Sequence, residues 1–78
     1  MLIYELIDML GDLAIYAYYP ERNGKPGKVA LNMKNGATDV IEMSPDDFGN
    51  RYAYHLIRRL AKLYEQGEIP ESGIVAWY

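Results

Sequence analysis

Apolar residues recur along this chain with two different periods, and each change of period marks a boundary between elements. From Phe48 onward the spacing is helical. Phe48, Tyr52, Leu56 and Leu60 stand four residues apart, and Leu63 follows three later. Ala53, Ile57, Ala61 and Tyr64 widen that stripe, while Arg51, His55, Arg58, Lys62 and Glu65 fall opposite it. The pattern predicts one long helix over residues 44–67. Ser44 is placed as N-cap, Pro45 occupies the first helical position, and Asp46 and Asp47 face the positive end of the helix dipole. Asp47 is an alternative cap. Gly67 supplies a left-handed C′ residue, and Pro70 keeps the helix from resuming.

Residues 2–10 read as a short helix, with Ile3, Leu6, Ile7 and Leu10 on one face and Gly11 as C-cap. A segment of that length is too short to hold its shape alone and must dock on something. Leu2, Tyr4 and Met9 lie outside its stripe. Residues 13–19 alternate as a strand, Leu13, Ile15, Ala17 and Tyr19 against Ala14, Tyr16 and Tyr18. Both sets are apolar or aromatic, which marks an interior strand or one whose second face meets another chain. Residues 20–27 form a loop with turn signals at Asn23-Gly24 and Pro26-Gly27. Residues 28–33 make a second strand with Val29, Leu31 and Met33 inward, and Lys34-Asn35-Gly36 marks a hairpin. A three-residue loop with Gly36 left-handed would pair Val29 with Ile41 and Met33 with Ala37. It keeps Ile41 and Met43 on the inner face but turns Asp39 inward. A two-residue loop would instead pair Leu31 with Val40. Residues 37–43 are the third strand, and residues 73–78 a last one, with Trp77 and Tyr78 expected to tie the end into the sheet.

The expected fold is therefore α+β, in the order α-β-β-β-α-β, as a single domain over residues 1–78. A mainly antiparallel four-stranded sheet carries the long C-terminal helix on one face. The spatial order is 37–43, 28–33, 13–19, 73–78, with the last strand parallel to 13–19 after a right-handed crossover.

Composition narrows the function classes. The chain has no cysteine, which excludes disulfides and a thiolate zinc site. No apolar run approaches the ~20 residues of a membrane span. The apolar but acidic start, MLIYELIDMLGD, lacks the positive region of a signal peptide. The expected location is the cytoplasm. Net charge is −3, with signs alternating in blocks: acids in residues 1–21, cations in 22–34, acids in 39–47, cations in 51–62.

His55 is the one histidine, and no carboxylate is spaced to share a metal with it. No nucleophile–base set is in evidence, so the expectation is a protein that is not an enzyme and needs no cofactor or metal. What stands out is eight tyrosines in 78 residues, together with Trp77. Tyrosine offers a large, rigid contact area with one polar tip, and with Trp and Arg it is enriched where proteins meet. Aromatics also stack on bases. The candidate recognition surface comprises Tyr16, Tyr18, Arg22, Lys25, Lys28, Arg51, Tyr54, Arg58, Trp77 and Tyr78. Its partner is expected to be another protein or a second copy of the chain. Nucleic acid or a small phosphorylated nucleotide is the alternative.

Four stretches carry a family resemblance: Y-x-Y-Y-P-E from Tyr16 to Glu21, P-G-x-V from Pro26 to Val29, R-Y-A-x-H from Arg51 to His55, and G-x-V-A-W-Y from Gly73 to Tyr78. Together they resemble small accessory proteins of bacteriophages and prophages. The resemblance implies a place in the cytoplasm of a bacterial host cell and action by binding a host or phage protein, counter-defence inhibition included. It assigns no role to any single residue.

Overall fold

The computed structural model describes residues 1–76, so the expectations for Trp77 and Tyr78 lie outside the described residues. Its elements are β1 (Leu2–Leu10), β2 (Leu13–Tyr19), β3 (Gly27–Asn32), β4 (Thr38–Glu42), a 3₁₀ turn (Phe48–Asn50), α1 (Arg51–Glu65) and β5 (Ser72–Val75). The fold is α+β. One five-stranded antiparallel sheet, in the order β4-β3-β2-β1-β5, carries α1 on one face.

The expected N-terminal helix is a strand. Leu2, Tyr4 and Leu6 alternate into the core, a period of two hidden within a run that also fits a helical stripe. The deciding feature is Gly11-Asp12, a two-residue connection that leaves Leu10 paired with Leu13 and Gly11 at φ +59°. Pairing with β2 on one side and β5 on the other outweighs the weak helical preference of so short a segment. A bulge between Leu6 and Asp8 shifts the register within β1. The sheet thus gains a strand. The last strand does run in the direction of β2, but it is separated from β2 by β1, to which it is antiparallel.

The β3–β4 register departs from both expected ones over Val29–Leu31 and, after a shift between Lys28 and Val29, matches the three-residue-loop register where Lys28 pairs with Glu42. Val29 pairs with Val40, Ala30 with Asp39, and Leu31 with Thr38. A longer loop closes the hairpin: Asn32 N–H donates to the Ala37 carbonyl and Gly36 N–H to the Asn32 carbonyl, each at 2.7 Å. The Asn32 and Asn35 side chains accept from the amides of Lys34 and Ala37, each two residues on. This register turns Val40 inward and Asp39, Ile41 and Met43 outward, so no carboxylate enters the core.

The core is the layer between α1 and the sheet. Ala53, Leu56 and Leu60 pack against Leu2, Tyr4, Ala14, Tyr16, Tyr18, Val29, Leu31 and Val75. Tyr52, Ile57 and Tyr64 flank them as expected, whereas Phe48, expected in the stripe, is 84% exposed. Two glycines open space for the tyrosines: a Cβ on Gly27 would strike the Tyr18 ring, and one on Gly73 the Tyr4 ring. Tyr4 and Tyr16 meet edge to face with ring centroids 6.0 Å apart.

The α-helix begins later than expected. Gly49 and Asn50 both take left-handed backbone, and regular helix starts at Arg51. Ser44 does not cap it. Its hydroxyl donates to the Lys25 carbonyl at 2.6 Å and accepts from Asp46 N–H at 3.1 Å, binding the 20–27 loop to the approach segment. The acceptor for the first turn is Asp47, whose carboxylate takes the amides of Tyr52 at 2.9 Å and Ala53 at 3.0 Å. At the other end Gly67 is left-handed as expected. Its N–H reaches the Tyr64 carbonyl, and that of Glu68 reaches Leu63, the Schellman pattern.

Asp47 is buried and also accepts the Tyr18 hydroxyl at 2.9 Å. Asp47→Ala is therefore expected to cost the roughly 0.5–2 kcal/mol of a lost cap. It should lose more besides, because a buried hydroxyl left without its acceptor costs about 1–3 kcal/mol. Urea unfolding followed by circular dichroism checks this; a midpoint equal to wild type would show that the carboxylate holds nothing.

Candidate functional site

The described surface offers two regions of interest, set apart by the sheet. One is the outer side of α1. Arg51, Tyr54, His55 and Arg58 recur at helical spacing and, with Gly49, line an open groove of about 350 Å³. Tyr54 is 66% exposed, and Phe48, just before Gly49, is the most exposed of the large apolar residues. No acidic residue occurs between Phe48 and Tyr64, while Arg51, Arg58, Arg59 and Lys62 all lie there. Half of the chain's cations thus sit on one helix of a net-negative protein.

The other region is the face of the sheet turned away from α1. Ile3 and Ile74 are cross-strand partners there, as are Ile15 and Ala30, and Leu13 and Ala30 line a hollow with Ile41. No helix of the described residues covers this side. An antiparallel sheet with one solvated face ordinarily alternates apolar inward and polar outward. Here the outward set on the central strand is Leu13, Ile15, Ala17 and Tyr19. Polar groups stand around this apolar strip: Glu5 opposite Ala17, Asp8 opposite Ile15, Asp39 opposite Ala30, and Lys28 opposite Ala17 from the other side. Glu5 accepts the Tyr19 hydroxyl at 3.1 Å.

Of the residues singled out from the sequence, Arg51, Tyr54 and Arg58 come together in the groove. Arg22 and Lys25 are exposed on the 20–27 loop, which is joined to the segment leading into the helix through the Lys25 N–H to Asp46 bond of 3.0 Å. Lys28 is elsewhere, on the open sheet face. Tyr16 and Tyr18 are corrected outright: both are fully buried. The parity of β2 turns them toward α1 and sends Ile15 and Ala17 out. Their hydroxyls are occupied, Tyr16 donating to the Pro70 carbonyl at 2.7 Å, and Tyr18 donating to Asp47 while accepting from Ser44 N–H at 3.1 Å. Trp77 and Tyr78 lie outside the described residues. Sequence reasoning passed over Phe48, assigned to the core, and the open-face residues Ile41 and Ile74. The signal for Phe48 was Gly49-Asn50, which breaks the helical period just after it.

Among the described residues, no group of three or more His, Asp or Glu side chains gathers to hold a metal. No helix among them is long and apolar enough to cross a membrane. The arrangement offers two kinds of surface chemistry, cations beside exposed aromatics on the helix and, on the sheet, exposed Leu10, Ile41 and Ile74 around the buried Ile15, Ala17 and Ala30. No protein-family model, curated protein or solved structure matches the chain.

Burial of the tyrosines has a consequence at high pH. It pushes the Tyr16 hydroxyl up to about 12, with Tyr4 adding to the shift, and it also pushes Tyr18 up to about 12, helped by the Asp47 carboxylate against the opposing Ser44 amide. The folded protein therefore holds these protons more tightly than the unfolded chain, whose tyrosines titrate near 10.0. The stability they contribute is complete below pH 10 and is lost as pH rises toward 12. Circular dichroism melts between pH 8 and 12 should show a midpoint that is level at first and then falls, more shallowly in Tyr18→Phe. A wild-type midpoint still level at pH 12 would contradict the shifts.

Proposed function

We propose that this chain is a non-catalytic binding domain that acts by protein–protein contact through the open face of its sheet. The observation behind this reading is the set of large apolar side chains left in solvent on the sheet side away from α1, Leu10, Ile41 and Ile74, around Ile15, Ala17 and Ala30, which are themselves buried. Large apolar side chains left in solvent around one sheet face mark a site of interaction. The acids around it, Glu5, Asp8 and Asp39, outnumber the lone Lys28, so the complementary partner presents apolar side chains ringed by cations. The resemblance to small phage and prophage proteins supports a partner among the proteins of a bacterial host, met in the cytoplasm, with counter-defence inhibition as the role. Self-pairing of this face would make a dimer.

Ile41 and Ile74 are each more than half exposed, so Ile41→Gln and Ile74→Gln should leave the unfolding midpoint within the roughly 0.5 kcal/mol typical of surface changes. The paired variant should lose at least tenfold in affinity for a protein captured from host lysate and identified by mass spectrometry. Light scattering on the purified chain separates the two partners. A doubled mass that reverts in the variant assigns the face to a second copy. Full retention of partner binding and mass by the variant would overturn the reading.

A further inference from the structure

The groove on the outer side of α1 is not used by the open-face reading, and its chemistry is different. Its cations are arginines, whose planar guanidinium groups hold phosphate oxygens through paired N–H donors. Arg51 and Arg58 are seven residues apart, two turns along one helix face, or about 10 Å along the axis. Tyr54 stands between them, and Phe48 immediately precedes the groove's Gly49 in the chain; both are largely exposed. An apolar ring left this bare beside a cation has no structural purpose in the core, which is built from Ala53, Leu56 and Leu60 on the other side of the helix. The surrounding segment from Phe48 to Tyr64 has no carboxylate to compete for the arginines. Alternating cations and open aromatic faces match a ligand that alternates anions and flat rings, which is the pattern of an unpaired nucleic-acid strand. An acidic peptide would satisfy the arginines but gives the rings nothing to stack on, and a duplex hides its base faces.

We propose that this groove is a binding site for single-stranded nucleic acid. Arg51 and Arg58 take phosphates, and Tyr54 and Phe48 stack on bases. Arg22 and Lys25 on the loop at the helix entrance extend the positive path.

The test is fluorescence anisotropy of the full chain with a labelled 15-nucleotide oligothymidine at low salt, repeated across a salt series. The expected result is saturable binding whose log–log dependence on salt has a slope of roughly −1.4 for the two arginines, steeper if the loop cations join. Arg51→Gln with Arg58→Gln should weaken binding at least tenfold and flatten that slope. Tyr54→Ala should weaken it about fivefold or more with the slope unchanged, which a purely electrostatic surface would not show. All of these side chains are exposed, and an unaltered unfolding midpoint establishes that the variants fold. The Ile41→Gln, Ile74→Gln variant should bind the oligonucleotide like wild type, so this proposal and the open-face reading fail separately. Absence of salt-dependent binding overturns the proposal. Equal affinity for a duplex of the same length, or equal competition by a polyglutamate peptide, also overturns it.

Discussion

The fold depends on a buried junction in which one carboxylate joins the helix to the middle of the sheet. Asp47 accepts the amides of Tyr52 and Ala53 and the hydroxyl of Tyr18, and Tyr18 in turn accepts the amide of Ser44. A buried carboxylate persists only when its oxygens are supplied with donors, and here those donors come from two elements that are far apart in sequence. The helix start is thereby fixed over β2. Tyr16, two residues earlier on the same strand and face, holds the exit by donating to the Pro70 carbonyl. Both ends of the helical arm are thus pegged to adjacent inward positions of one central strand, while Leu56 and Leu60 fill the space between.

That pegging decides which side of the sheet is covered. Because Tyr16 and Tyr18 point at the helix, Leu13, Ile15, Ala17 and Tyr19 must point away from it. The central strand is apolar on both sides, and among the described residues no helix lies over the second, where Ile15 and Ala17 are nonetheless buried. The helix meanwhile holds Arg51, Tyr54 and Arg58 in the groove on its outer side, whereas Arg59 lies close enough to the inward Tyr4 to act on its hydroxyl.

Much of this was legible in the residues. The long helix, its apolar stripe, the three-strand meander and the left-handed cap all follow from period and turn chemistry. The helix start, expected at Ser44, does not: the left-handed Gly49-Asn50 step delays it to Arg51. Three further points were not legible, each for a physical reason. Residues 2–10 satisfy both a helical stripe and strand alternation, and only the partners β2 and β5, with the tight Gly11-Asp12 connection, choose between them. The inward side of β2 was ambiguous because both of its sides are apolar; the choice rests on Gly27, Gly73 and Asp47, which make room and supply an acceptor from remote parts of the chain. The hairpin register turned on Asp39, which an Asn-Gly signal alone does not weigh: the longer loop puts it in solvent. Of the candidate site, the helical members Arg51, Tyr54 and Arg58 could be grouped from spacing alone. The tyrosines of β2 could not be placed without knowing which face the helix takes.

A double-mutant cycle between Tyr18→Phe and Asp47→Ala, read as unfolding free energies below pH 9, tests the junction most directly. Two groups that satisfy each other in a buried site should couple by about 1 kcal/mol or more, the pair costing less than the sum of the single losses. Losses that add to within about 0.3 kcal/mol would mean that the hydroxyl and the carboxylate act independently, and that something else sets the helix on its side of the sheet.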